Sequence, residues 1–206
     1  DRIDDVLEAG PFEDEDRWLS CRTTKFFADG ALGSQGALLL DSYPDGTTGV
    51  EMIGADALAH RARTLSAQGW QVATHAIGDR AARRVLDAYE TIPEEQRNDL
   101  RHRLEHAQML HDEDLPRLSR LGVIASIQPI HMRSDAAWAD DILSEAQLNR
   151  LFRWADLATH TALAAGSDYP IEDPNPWHGI ATAMSRRDAE GRGFYPEQAL
   201  DRKSVV

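Results

Sequence analysis

The chain has 206 residues, with 22 Lys or Arg against 35 Asp or Glu, and so carries a formal charge of −13. An acidic surface repels nucleic-acid phosphates and anionic lipid, and no basic stripe interleaved with aromatics offsets it locally, which argues against both partners. Apolar runs stop at four residues (37–40, 136–139 and 162–165), where a membrane-spanning helix needs roughly 20.

A single cysteine, Cys21, forms no disulfide within the chain, which fits a reducing, cytoplasmic setting. Residues 1–10 have the pattern of a helix already under way, without an initiator Met or a signal sequence. The first strand is expected at 22–27, where β-branched and aromatic residues concentrate, and residues 43–48 (Tyr-Pro-Asp-Gly-Thr-Thr) carry turn chemistry. A helix is predicted over 55–67, with Leu58, Ala59, Ala62 and Leu65 on its apolar face and Gly69 as its stop. A strand at 70–75 leads to a helix at 80–89, for which Asp79 is the N-cap candidate, Ala81, Val85 and Leu86 form one face, and Pro93 lies beyond the end. Strands at 101–106, 122–128 and 161–167 alternate with helices at 112–121 and 145–154. Further helical starts fall near Pro176 and at 196–200.

Alternation of strand and helix is the pattern of βαβ units feeding a parallel sheet, hence an α/β fold. An open doubly wound sheet and a closed (β/α)₈ barrel share that order. No Gly-x-Gly-x-x-Gly turn follows any strand, so a dinucleotide-binding sheet has no support.

Chemistry gathers where the strands end. Lys25 lies on the first strand, and the next four end on His75, His106, Gln128 and Asp168. Parallel α/β folds collect functional groups at the carboxyl ends of their strands. Imidazole and carboxylate are ligands suited to zinc, iron or manganese, and such an ion lowers the pKa of bound water to roughly 7. Each residue alone also has an ordinary reading: a hydrogen-bonded histidine, a turn-capping aspartate, a lysine reaching solvent. Together the four residues Lys25, His75, His106 and Asp168 form a site-like pattern. His60, His102, His111, His131, His160 and His178 lack that placement and read as structural. Loops at 29–35, 130–141 and 171–177 are the candidates for substrate contact; the second carries His131, Arg133, Trp138, Asp140 and Asp141. Within the first loop, Asp29-Gly30 and Gly33-Ser34 read primarily as turn residues.

Five segments in this order resemble one family: Lys25-Phe-Phe-Ala-Asp-Gly-Ala-Leu-Gly-Ser-Gln35, Thr74-His-Ala-Ile-Gly-Asp-Arg80, Arg103-Leu-Glu-His-Ala-Gln108, Ser126-Ile-Gln-Pro129 and Ala165-Gly-Ser-Asp-Tyr-Pro170. They are similar to the amidohydrolase superfamily, and within it to amidohydrolase family 3, the branch of the YtcJ-like proteins and the N-substituted formamide deformylases. The resemblance implies a metal-dependent hydrolase of C–N bonds, of amide or formamide type, acting on a small molecule through metal-activated water. It implies one or two divalent ions, zinc foremost, at the mouth of a (β/α)₈ TIM-like barrel. Carried over by motif, Lys25 matches a fourth-strand lysine that is carboxylated in related members and bridges two metals. His75 and His106 match the fifth- and sixth-strand ligands. Asp168 matches the eighth-strand aspartate, which binds metal and shuttles the proton between water and leaving group.

The superfamily's first strand supplies a His-x-His pair, and none with strand context occurs here; His160-Thr-Ala has one histidine. By the resemblance, residues 1–206 are a single-domain fragment holding about strands 4 to 8 of the barrel, with strands one to three and a small β-domain outside it. Open barrel edges lead us to expect a poorly stable and inactive piece in isolation. Two other readings stand beside the hydrolase. A Schiff-base lyase would use Lys25 as nucleophile, which requires a desolvated lysine and leaves His75, His106 and Asp168 without a role. A degenerate, truncated domain would retain its ligands as relics.

Overall fold

A computed structural model of the chain describes residues 3–204. Helix α1 (Ile3–Ala9) precedes two short antiparallel strands, β1 (Phe12–Glu13) and β2 (Ser20–Cys21). The main series then runs β3 (Thr23–Phe27), α2 (Ala55–Ala67), β4 (Gln71–Ala76), α3 (Asp79–Glu90), α4 (Glu94–Leu100), β5 (Arg103–His106), α5 (Leu115–Leu121) and β6 (Ile124–Ile127). Helices α6 (Pro129–Asp135), α7 (Ala139–Ile142), α8 (Glu145–Leu148) and α9 (Trp154–His160) lead to β7 (Leu163–Ala165), followed by α10 (Pro176–Ser185) and a 3₁₀ turn at Pro196–Gln198. No helix among the described residues is long and apolar enough to cross a membrane.

Strands β3 to β7 form one parallel sheet whose spatial order is the chain order. Crossovers of one hand with no reversal of strand order put the connecting helices on a single face, and α2, α3, α5 and α9 pack against one another in series. The strand period of two then sorts the side chains. Val72, Ala76, Leu104, Ala125 and Ile127 point into the helix-covered core, where the buried hydroxyl of Tyr89 on α3 pairs with Thr74 Oγ1 at 2.8 Å. The alternate positions carry a polar network instead. Gln71 Oε1 accepts from Thr23 Oγ1 at 2.8 Å and from Arg103 Nη1 at 2.6 Å, and Arg103 Nε donates to Glu105 at 2.6 Å.

Predicted strands and the helices at 55–67 and 80–89 match what is observed, and the differences have identifiable causes. The helix expected over 145–154 is two helices. Ser144 and Gln147 close a capping box on α8, and the intervening residues leave the helix so that Leu151 bridges Met109 and the Phe152 N–H donates to Gln108 O at 2.7 Å. Burying Trp154 then starts α9. Helix α5 begins at Leu115, three residues later than expected, after a turn in which the Asp114 N–H donates to His111 O. Asp79 is the first residue of α3 rather than its cap. Its Oδ1 accepts the Leu40 N–H at 2.8 Å and its Oδ2 takes Arg150 at 2.7 Å, so it ties the loop after β3 to α3 and to the segment between α8 and α9.

His102 is structural, as its sequence position suggested. It is buried beneath α2, its Nδ1 accepts the Val72 N–H at 3.0 Å and its Nε2 lies 3.3 Å from Ser66 Oγ. The fully buried Arg186 guanidinium stacks on Trp154 at 4.4 Å and donates to Phe152 O and Phe194 O, fixing the C-terminal segment to α9.

Two predictions follow from this packing. A Cβ at Gly78 would sit 2.1 Å from Leu38 O, a backbone atom, whereas a Cβ at Gly179 inside α10 meets nothing within 4 Å. In thermal melts Gly78→Ala should cost ~3 kcal/mol or more, and Gly179→Ala should gain ~0.5–1 kcal/mol from helix propensity. The second concerns acid. Burial holds the His102 pKa down, from 6.5 to about 4, so between those pH values the unfolded chain binds a proton that the folded one does not. Stability should therefore be intact above pH 6.5 and fall by ~3 kcal/mol as pH drops toward 4. His102→Asn, whose Oδ1 replaces the Nδ1 acceptor, should show a shallower acid decline in pH-dependent melts.

Candidate metal centre

The ends of β4 and β5 deliver His75 and His106, the middle of β3 delivers Lys25, and the loop after β7 delivers Asp168. In the parallel register Phe27 stands opposite His75, and Lys25 stands opposite Ala73, one pleat below. Lys25 Nζ lies 4.7 Å from the Phe27 ring centroid, and that ring lies 5.2 Å from the His75 imidazole. His106 closes β5 with φ 74°, followed by Ala107 at φ 44°. A left-handed backbone at non-glycine residues costs ~1–3 kcal/mol and concentrates at functional sites. The turn brings the His106 ring to 4.4 Å from His75, edge to face. Asp168, three residues after β7, is also left-handed at φ 56°.

His75 and His106 are thus brought together. Lys25 and Asp168 are both exposed; the Lys25 charge acts on His106 and the Asp168 carboxylate on His131. Among the described residues no three His, Cys, Asp or Glu side chains converge tightly enough to hold an ion by themselves. Gln128 is buried at the end of β6, and its Nε2 donates to Ser126 O at 3.2 Å.

Burial drives the His106 pKa down to about 2, with the neighbouring His75, His131 and Lys25 charges acting in the same direction. An imidazole held neutral keeps a lone pair available. The His131 pKa is also lowered by burial, against the opposing pull of the Asp168 carboxylate. Three buried polar atoms of this cluster have no hydrogen-bond partner in the structure: His106 Nδ1, Gln128 Oε1 and His131 Nε2.

Sequence reasoning missed two members of this neighbourhood. His131, read as structural and as part of the loop after β6, lies on α6 and stacks on His106, centroids 5.8 Å apart and planes 15° from parallel. Its position three residues past a strand-terminal glutamine was the available signal. Asp29 was read as a turn residue, yet it is 1 % exposed and its carboxylate accepts three backbone N–H groups from Leu38, Ile77 and Gly78. The loop expected at 130–141 is largely α6 and α7, and its Trp138 packs against Gly33, where a Cβ would lie 3.2 Å from the indole. The loops after β3 and β6 therefore meet. A cleft of ≈ 410 Å³ lies between the start of α6, the end of β7 and α10, lined by Pro129, Ile130, Ser167, Asp173, Asn175 and Ile180 among others.

Comparison with known proteins agrees with this architecture. The chain matches the family model described as "Amidohydrolase family" over residues 1–206. It is 39 % identical over 168 residues to "Putative amidohydrolase YtcJ" of Bacillus subtilis (strain 168), covering 80 % of this chain and 31 % of that protein. It is 38 % identical over 174 residues to "Protein LONG AFTER FAR-RED 3" of Arabidopsis thaliana, covering 82 % of this chain and 30 % of that protein. The chain thus spans less than a third of the length of these curated relatives. A crystal structure described as an uncharacterized metal-dependent hydrolase from Pyrococcus furiosus superposes with a TM-score of 0.85 at 32 % identity, over 99 % of this chain and 42 % of that one. With the family model covering every residue, the chain belongs to the amidohydrolase family.

Proposed function

We propose that this chain is the C-terminal part of a (β/α)₈ barrel, about strands 4 to 8, in a metal-dependent hydrolase that cleaves amide- or formamide-type C–N bonds of a small molecule. The observation that carries the reading is the pairing of two strand-end imidazoles, His75 and His106, at 4.4 Å in a chain of the amidohydrolase family. Sequential parallel strands with helices on one face are what a barrel requires, and the two sheet edges, β3 and β7, are where the remaining strands would join.

The residues present fit a divalent cation. Neutral imidazole is the donor such an ion takes, and the unpartnered buried atoms of His106, Gln128 and His131 are polar groups awaiting a partner. His75 and His106 would hold the ion, with Asp168 and Lys25 completing the set; zinc suits this nitrogen and oxygen donor set. As a carbamate, formed by its neutral amine adding to CO₂ with loss of a proton, Lys25 would turn from a cation into an anion able to hold a cation. When bound, the cation supplies Lewis acidity and makes water ionisable near neutral pH. Asp168 would accept the proton from the attacking water and deliver it to the leaving nitrogen. The cleft beside Ser167 would receive the acyl or amine substituent, with Ile130 and Ile180 forming part of its wall.

The test uses the full-length protein and N-formyl and N-acyl amines as substrates. Chelation should abolish hydrolysis and added divalent ion should restore it. His106→Ala should lower kcat/KM by more than ~100-fold, because loss of a ligand must exceed the ~10–100-fold cost of losing a group that only supports one, while the circular dichroism spectrum stays unchanged. Full activity in His106→Ala, or activity indifferent to chelation, would remove the metal centre from the account.

A further inference from the structure

The carboxylate of Asp29 reaches across two strands to the base of the histidine pair. Its Oδ2 accepts the Leu38 N–H at 2.9 Å and the Gly78 N–H at 2.8 Å, and its Oδ1 accepts the Ile77 N–H at 3.0 Å. Three fixed donors from two different loops leave the carboxylate no rotational freedom. Its Oδ1 also lies 3.3 Å from His75 Nε2. That nitrogen makes its hydrogen bond to a carbonyl, Gly30 O at 3.4 Å. Both neighbours are acceptors. A nitrogen faced by two acceptors carries the proton, so Nδ1 is left as the nitrogen with the lone pair.

We infer that Asp29 is a positioning residue of the centre: together with Gly30 O it holds His75 as the Nε2–H tautomer and thereby presents Nδ1 as the donor to a divalent cation. The inference rests on the proposed role of His75 as a ligand. It adds a residue that touches neither ion nor substrate and acts through the imidazole. A carboxylate meets the requirement where a carboxamide does not. Both of its oxygens accept, one from the Leu38 and Gly78 amides and the other from the Ile77 amide, with His75 Nε2 3.3 Å from the second. In Asp29→Asn, an oxygen left facing Leu38 and Gly78 would put the NH₂ against His75, opposing the Nε2 proton and driving the ring to the Nδ1–H form, which cannot ligate through Nδ1.

Two measurements on the full-length protein test this. In the chelated wild type, ¹⁵N spectra of labelled histidine, with the His75 signals assigned by their loss in His75→Gln, should show Nε2 protonated and Nδ1 bare. A protonated Nδ1 overturns the inference whether or not any variant folds. Co(II) titration followed by d–d absorption should then show Asp29→Asn binding ~10–100-fold more weakly than wild type. Tyr43→Phe removes the hydroxyl that donates to Ala37 O at 3.0 Å in the same loop, and it should bind Co(II) as wild type does. Undiminished affinity in Asp29→Asn refutes the positioning role, and so does an equal loss in Tyr43→Phe, which would reveal general loosening of the loop. Wild-type protein that takes up no Co(II) refutes the metal centre itself and the inference with it, an outcome distinct from failure of Asp29 alone.

Discussion

Helices cover one face of the parallel sheet, and the rest of the structure depends on that constraint. With strand order equal to chain order, every crossover returns on the same side, so a strand's alternate residues meet two different environments. Val72, Ala76 and Leu104 enter a core that excludes water, while Gln71, Arg103 and Glu105 on the opposite face bond to one another. A one-residue slip in register would exchange these sets, burying charges without partners. The same pleat places Lys25 and His75 on the polar side, where a site can form without opening the core.

Buried carboxylates hold the top of the sheet in place. Asp29 gathers amides from the segment after β3 and from the turn after β4, and Asp79 joins Leu40 and Arg150. Hydrogen bonds to a charged group contribute roughly 1.5–3 kcal/mol each, and a buried donor stripped of its acceptor costs about 1–3 kcal/mol. Against a total stability of about 5–15 kcal/mol for a typical domain, these few residues decide whether the strand-end loops are ordered. That order supports the left-handed backbone at His106 and Ala107, strain that a loose loop would relax by moving the imidazole away from His75.

Much of this was legible in the sequence, and what was missed has physical reasons. Helices with a clear apolar stripe and a stop signal, such as 55–67, are fixed by local pattern. The break at 149–153 was not, because it answers a distant partner: Leu151 and Phe152 leave the helical path to pair with Met109 and Gln108. Strand-end placement drew attention to His75 and His106, and their approach to 4.4 Å accords with it. Asp29-Gly30 resembles a turn dipeptide from any local viewpoint. Its acceptor role depends on amides 9, 48 and 49 residues away, which no window of sequence displays. The stacking of His131 on His106 was hidden for the same reason, since it joins two separate elements, α6 and β5.

The most direct test of the account is anomalous diffraction from crystals of the full-length protein grown with zinc, measured on both sides of the absorption edge. The account predicts a peak ~2.0–2.2 Å from a ring nitrogen of His75 and of His106, with a carboxylate oxygen of Asp168 at similar distance. Zinc bound elsewhere, with both imidazoles left without metal, would contradict it.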